Sequence, residues 1–252
     1  MNFGYTNDLV IFGVDSRRDD NLRSLPKKYL SVLLVKRNKA PYKNKWCLPG
    51  GFVRNNETSK EASLRILKKE TGLEDVYMQQ IGVNDDIKRD PRGRIISTTY
   101  MALIDRTMLT DKLLEDACWF DLFVLEDEND IKLLLKNENE ELNLVVSKIP
   151  IDLYTNVNEY KAKSKSLAFD HDKVLVSSLE ELRNKVNQTD IVFHLMPTLF
   201  TIGELKQVYE LLLGKQLINS VFRRKIADKI EVTEKYVKTG GHRPSLLCKY
   251  KK

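Results

Sequence analysis

Lys45-Trp46-Cys47-Leu48-Pro49-Gly50-Gly51-Phe52-Val53, followed at fixed intervals by Glu57, Arg65, Glu70, Gly72 and Leu73, organises the first half of the chain. A Pro-Gly-Gly run closes a short strand with a turn, because Pro presets one backbone angle and Gly tolerates the rest. From Glu57 to Glu70 helix formers dominate, with Leu64 and Leu67 recurring at helical spacing. Gly72 then stands where a helix C-cap needs a left-handed residue. The stretch therefore reads as strand, loop and helix. On that helix Ile66, Lys69 and Glu70 fall within about 100° of arc and share one face.

Working outward, Asp8 to Val14 reads as a buried strand and Leu30 to Val35 as another, with a polar loop from Asp15 to Pro26. Ile95 to Ile104 is a further strand candidate. Glu126 to Glu141 is acidic around Leu133-Leu134-Leu135 and is expected as a surface helix. Asn156 to Ser166 is polar and lysine-rich and is expected as a linker, followed by a helix from about Asp172 to Val186. Lys88-Arg89-Asp90-Pro91-Arg92-Gly93-Arg94 concentrates cations in a turn, where guanidinium groups can grip phosphate oxygens in pairs. Arg37, Arg89, Arg92 and Arg94 are the candidate ligand-binding residues.

Composition places the chain among soluble globular proteins: 252 residues, 42% hydrophobic and 31% charged. No window approaches the roughly 20 apolar residues that span a bilayer, and the first residues lack a secretory pattern. Cys47, Cys118 and Cys248 are far apart and without CxxC spacing, as expected of small buried side chains in a reducing, cytoplasmic setting. The net charge of +6 is confined to one end: from Asp190 onward there are twelve cations against six acids, while the rest of the chain is neutral. A polyanionic partner for that end follows from the charge.

The same end carries helical signals. Thr201 and Glu204 have capping-box spacing, Leu205, Val208, Tyr209 and Leu212 recur at helical intervals, and Gly214 closes the helix. Asn219 or Ser220 can cap a second helix that turns Phe222 and Ile226 inward and carries Arg223, Arg224 and Lys225 on or near its outer side. Val232 to Val237 and Leu246 to Tyr250 then flank a basic, turn-rich segment containing Arg243. Helix, turn, helix and basic ribbon is the pattern of a winged helix-turn-helix, whose second helix enters the major groove. Candidate DNA-binding residues are Asn219, Arg223, Arg224, Lys225 and Arg243.

Two resemblances meet here. Gly51, Glu57, Arg65, Glu70 and Gly72 resemble the Nudix box, which implies a nucleotide-pyrophosphate domain with an α/β/α sandwich and a mixed sheet. In that family three carboxylates of the box helix hold a divalent metal. The matching positions are Ile66, Lys69 and Glu70, so Glu70 is the one metal ligand left. Mg²⁺ binding is expected to be weak and pyrophosphate hydrolysis small or absent. The whole chain, outside roughly Asp121 to Lys165, resembles the Nudix-related transcriptional regulators of the NrtR family. The stretches that carry this are Lys45 to Val53, Arg89 to Arg94, Leu167-Ala168-Phe169-Asp170-His171, Phe200 to Tyr209, and Phe222 to Lys225. The resemblance implies an α+β chain with a Nudix-like ligand domain (1–155), a linker and connecting helix (156–190) and a winged helix-turn-helix domain (191–252). It further implies a homodimer that binds a palindromic operator in double-stranded DNA under the control of ADP-ribose or a related sugar nucleotide. The alternatives are a Nudix hydrolase acting on ADP-ribose-like pyrophosphates and a basic module that touches RNA or protein. His171, beside Asp170, is expected to anchor the connecting helix or the dimer rather than act as a base.

Overall fold

The computed structural model describes residues 3–18, 26–109, 113–126, 129–149, 159–237 and 244–251. In chain order the elements are β1 (Phe3–Arg17), β2 (Lys27–Lys36), β3 (Trp46–Cys47), β4 (Gly50–Phe52), α1 (Ser59–Thr71), β5 (Tyr77–Asn84), β6 (Arg94–Asp105), β7 (Ala117–Glu126), β8 (Asp130–Lys136), β9 (Glu141–Ile149), β10 (Glu159–Ala162), α2 (His171–Val186), α3 (Ile202–Leu213), α4 (Asn219–Ile226), β11 (Ile230–Val237) and β12 (Ser245–Tyr250). The large sheet runs β10-β9-β8-β7-β2-β1-β6-β5, with β3 on β2 and β4 on β1. Most ladders are antiparallel. Tyr5 meets Thr98 near the start of β1 and β6, and Asp15 meets Arg106 at their ends, so these two neighbours run the same way and the sheet is mixed.

Contacts divide the chain into two compact units. One holds Met1–Phe12, Ser31–Leu103 and Leu109–Glu181; the other holds Gly13–Leu30, Ile104–Met108 and Leu182–Lys252. In the first, the core is built on Leu9, Ile11, Leu33, Leu48, Leu67, Met101 and Phe120, each fully buried. Burial of this kind contributes about 1.5–3 kcal/mol per large side chain. Successive side chains of a strand point to opposite faces, and β1 uses both. Asn7 donates to Ser59 O and Ser63 Oγ of α1 (2.5 and 2.8 Å), whereas Asp8 faces the segment that enters α2. The two faces of β1 therefore look toward α1 and toward the Asp170–His171 segment.

α1 forms as its sequence dictates. Thr58 and Glu61 make a reciprocal capping box, and Gly72 ends the helix at φ 74°. Gly50 is required for a different reason: a Cβ there would lie 2.7 Å from the Asn7 carbonyl oxygen, because β4 pairs with β1 at close approach.

Two expectations are overturned. Glu126 to Glu141 is not a surface helix: Asp130–Lys136 is strand β8, paired with β7 and β9. Ile131, Leu133 and Leu135 are buried while Lys132 and Leu134 are half-exposed, a period of two that the three consecutive leucines concealed. Asn156 to Ser166 is not simply a linker. Glu159–Ala162 adds strand β10 to β9, and Tyr160 buries its ring. Cys47 and Cys248 are buried, but Cys118 is half-exposed.

In the second unit α3 begins with the Thr201–Glu204 capping box and ends at Gly214 in the left-handed region. Leu205, Val208, Tyr209 and Leu212 of α3 and Phe222 and Ile226 of α4 are buried, with Tyr209 and Phe222 edge to face at 5.2 Å. Phe193 stacks on Tyr250 at 4.2 Å, and Phe200 exchanges both backbone hydrogen bonds with Cys248, tying the ribbon to the helices. β11 and β12 pair antiparallel. Among the described residues no helix is long and apolar enough to cross a membrane.

Candidate ligand cleft and nucleic-acid interface

A cleft of about 290 Å³ opens between the Gly50–Phe52 loop, the end of α1 and the segments around Arg37, Arg92 and Phe169. Six cations (Lys36, Arg37, Lys39, Lys69, Arg89, Arg92) line it against four carboxylates (Asp8, Glu70, Asp90, Asp116), together with Phe52, Phe169 and His171. The excess of cations and the aromatic walls suit an anionic ligand with a planar ring.

The four arginines expected to bind ligand occupy different places. Arg37 lies on the cleft, its guanidinium 4.7 Å from the centre of the Phe169 ring and its Nε donating to Pro41 O at 2.7 Å. Arg92 also lines the cleft and lies 5.3 and 5.5 Å from the Phe52 and Phe169 rings. Asp90 fixes its orientation through Nη2–Oδ2 at 2.6 Å. Arg89 is buried, with 3% of its side chain exposed; its Nε and Nη2 donate to Asp8 (2.7 Å) and, in a fork, to Asp170 (2.8 and 3.0 Å). Arg94 donates to Asp85 O and is not among the lining residues. Of the four, Arg37, Arg89 and Arg92 line the cleft, and Arg37 and Arg92 are brought together against the Phe169 ring.

On the cleft wall Asp8, Arg89 and His171 form one network with Asp170. Burial pushes Asp8 up, but His171 and Arg89 outweigh it and hold the carboxyl well below the usual range. His171 accepts the Leu48 backbone N–H on Nδ1 at 2.9 Å, which leaves its ring proton on Nε2, 3.5 Å from Asp8 Oδ1. The imidazole thus pins the Leu48-Pro49-Gly50 turn to the first residue of α2, the anchoring role expected of it. Asp8, Asp170 and His171 lie close enough to surround a cation. Arg89 already supplies that cation.

The box residues behave as structure. Glu57 takes two hydrogen bonds from Arg65 (2.5 and 2.9 Å) and one from Arg54 N, and the Arg65 contact lowers its carboxyl to about 2. On the α1 face where the resemblance implies a metal, Ile66 is buried and apolar, and Lys69 Nζ lies 2.6 Å from Glu70 Oε1. Glu70 Oε2 is buried with no hydrogen-bond partner among the described residues. Mg²⁺ requires several hard oxygen ligands; one carboxylate already carrying an ammonium does not provide them. The residues do not fit a divalent metal.

Sequence reasoning passed over Phe169 and Phe52 as site residues. Phe169 adopts φ 59°, a left-handed conformation costly for a bulky residue. Tyr42 packs edge to face on it at 5.0 Å, and Ala168 N bonds Trp46 O. Strain of this kind gathers at ligand clamps. The available signal was Phe169 itself, within Leu167 to His171.

In the second unit, Asn219, Ser220, Arg223 and Arg224 of α4 are exposed. The helix is preceded by Ile218, without a side-chain cap, so neither Asn219 nor Ser220 caps it. At 100° per residue Arg224 lies about 180° from the mean direction of Phe222 and Ile226, and Arg223 about 80°. Lys225 turns back, its Nζ 5.0 Å from the Tyr209 ring and 3.1 Å from Asn187 Oδ1. Arg243, expected on the wing, lies outside the described residues.

Comparisons with known proteins agree with this geometry. The family model for the NUDIX domain matches residues 22–143, and that for the NrtR DNA-binding winged helix domain matches residues 192–250. The chain is 30% identical over 251 residues to the ADPR responsive transcriptional repressor NtrR of Acinetobacter baylyi, covering 97% of this chain and 81% of that protein. A MutT/nudix family protein from Enterococcus faecalis has a similar structure (TM-score 0.70, 25% identity, 100% of this chain and 87% of that one). Shewanella oneidensis NrtR, solved with a 27mer DNA, is similar too (TM-score 0.67, 25% identity, 98% and 93%). With a Nudix domain, a winged helix and a relative 30% identical across 97% of this chain, the chain belongs to the NrtR family of Nudix-related transcriptional regulators.

Proposed function

We propose that this protein is a DNA-binding transcriptional repressor whose Nudix-type domain senses ADP-ribose without hydrolysing it. One observation carries the reading: the metal-ligand face of α1 is filled by Ile66 and Lys69, while the adjoining cleft keeps Arg37, Arg92 and the Phe169 ring. Binding groups are present and the groups that would activate water through a metal are not. Arg37 and Arg92 are the diphosphate contacts, and Phe169 and Phe52 the surfaces for a base or ribose. Arg89 holds the site together from the cleft wall. Arg224, with Asn219 and Arg223 at its flanks, reads bases, and Arg243 grips phosphate.

The A. baylyi relative is described as ADPR responsive, which supports ADP-ribose as the effector. The repressor acts as a homodimer on a palindromic operator in the cytoplasm, with half-sites about 10 base pairs, or a multiple, apart. α2, which begins at the cleft with His171 and ends in the second unit, is the connecting helix between the ligand and DNA-binding domains. The test is selection of bound sequences from random duplex DNA, then a gel shift on the enriched sequence with and without ADP-ribose. Enrichment of a palindrome released or tightened by ADP-ribose is the expected outcome. Failure to enrich any sequence at low salt, with or without ADP-ribose, overturns the assignment.

A further inference from the structure

The resemblance to the Nudix box places a divalent cation on the α1 face that here holds Ile66, Lys69 and Glu70. Here the same face of α1 carries its own cation. Lys69 Nζ sits 2.6 Å from Glu70 Oε1, on a side chain that is 61% exposed and lines the cleft beside Phe52 and Arg92. Glu70 is buried and Ile66 is apolar, so Lys69 is the positive charge on that face. An ammonium has three donors; Glu70 takes one, which leaves two for phosphate oxygens. Glu70 in turn keeps Oε2 buried and unpartnered, and such an acceptor costs free energy until a donor reaches it.

We propose that Lys69 is a covalently attached substitute for the divalent cation, contacting the diphosphate directly and making ligand binding independent of divalent metal. This rests on the reading of the cleft as a diphosphate site. Its consequence is that the sensor reports its ligand whatever the concentration of free Mg²⁺.

The test is calorimetric titration of the full chain with ADP-ribose, once in excess EDTA and once in millimolar Mg²⁺. The wild-type affinity is expected to agree between the two buffers within about twofold. Loss of a charge-assisted hydrogen bond predicts that Lys69→Met weakens binding about tenfold or more in both buffers. Lys69→Arg, which keeps the charge and guards against a folding defect, stays within a few-fold of wild type. Lys69→Glu binds in Mg²⁺ and not in EDTA. A wild type that needs Mg²⁺, or a Lys69→Met variant that binds as tightly as wild type, overturns the role of Lys69 and leaves ADP-ribose sensing intact. Absence of wild-type binding in both buffers overturns the diphosphate reading itself, and the role of Lys69 with it.

Discussion

Arg89→Met removes the cation that buried Asp8 and half-buried Asp170 share. Arg89 has 3% of its side chain exposed, Asp8 has 8% and Asp170 18%, and the three contacts lie between 2.7 and 3.0 Å. Methionine retains most of the packing volume but strands Asp8 on the cleft wall. Breaking a buried ion pair by removing one partner costs about 3–5 kcal/mol, because the remaining charge stays desolvated. For a chain of this size each kcal/mol shifts the melting temperature by about 2–4 °C, so a drop of about 6–20 °C is expected. The sign of the pH dependence follows from Asp8, whose folded carboxyl is held below the ordinary aspartate range by His171 and Arg89. Its contribution is present above about pH 4 and is lost as acid protonates the folded form. In the variant Asp8 takes up its proton at a higher pH, so the deficit against wild type is largest near neutrality and narrows toward pH 4. Scanning calorimetry from pH 4 to 8 measures this, with Asp8→Asn/Arg89→Met as the partner variant; removing the stranded charge should recover part of the loss. An Arg89→Met protein that melts within about 1 °C of wild type at pH 7 refutes the reasoning and returns Arg89 to the set of free ligand-binding cations.

Three further outcomes are expected. Arg224→Ala should cost about 1–3 kcal/mol of operator affinity, concentrated at one base position, whereas Arg223→Ala should cost less; fluorescence anisotropy on matched and substituted operators distinguishes them, and the reverse order contradicts the helix geometry. Gly50→Ala forces a Cβ to 2.7 Å from the Asn7 carbonyl oxygen and should destabilise by about 1–3 kcal/mol in urea unfolding, whereas Gly51→Ala, which meets Ile66 at 3.8 Å, should cost well under 1 kcal/mol. ADP-ribose incubated with the protein and Mg²⁺ or Mn²⁺ should remain intact by chromatography; turnover of the usual enzymic order, about 1–10³ s⁻¹, contradicts the absence of a metal-ligand set.

What the sequence determined by itself is local in origin. The capping boxes at Thr58 and Thr201, the C-caps at Gly72 and Gly214, and the inward spacing of Phe222 and Ile226 follow from rules that act within a few residues. The loss of metal ligands was legible in the same way, since Ile66, Lys69 and Glu70 share a face on any helix they form. What the tertiary structure decided depends on partners distant in the chain. Glu126 to Glu141 has helical composition, but β7 and β9 on either side reward alternate burial of Ile131, Leu133 and Leu135. Pairing with β9 likewise made a strand of Glu159–Ala162. The four arginines were alike as residues. Asp8 and Asp170, each 81 positions from Arg89, bury that one in an ion-pair network, whereas Arg37 and Arg92 lie against the Phe169 ring. Charge and hydrogen bonding are settled by what lies within a few ångströms, and chain order does not record those neighbours.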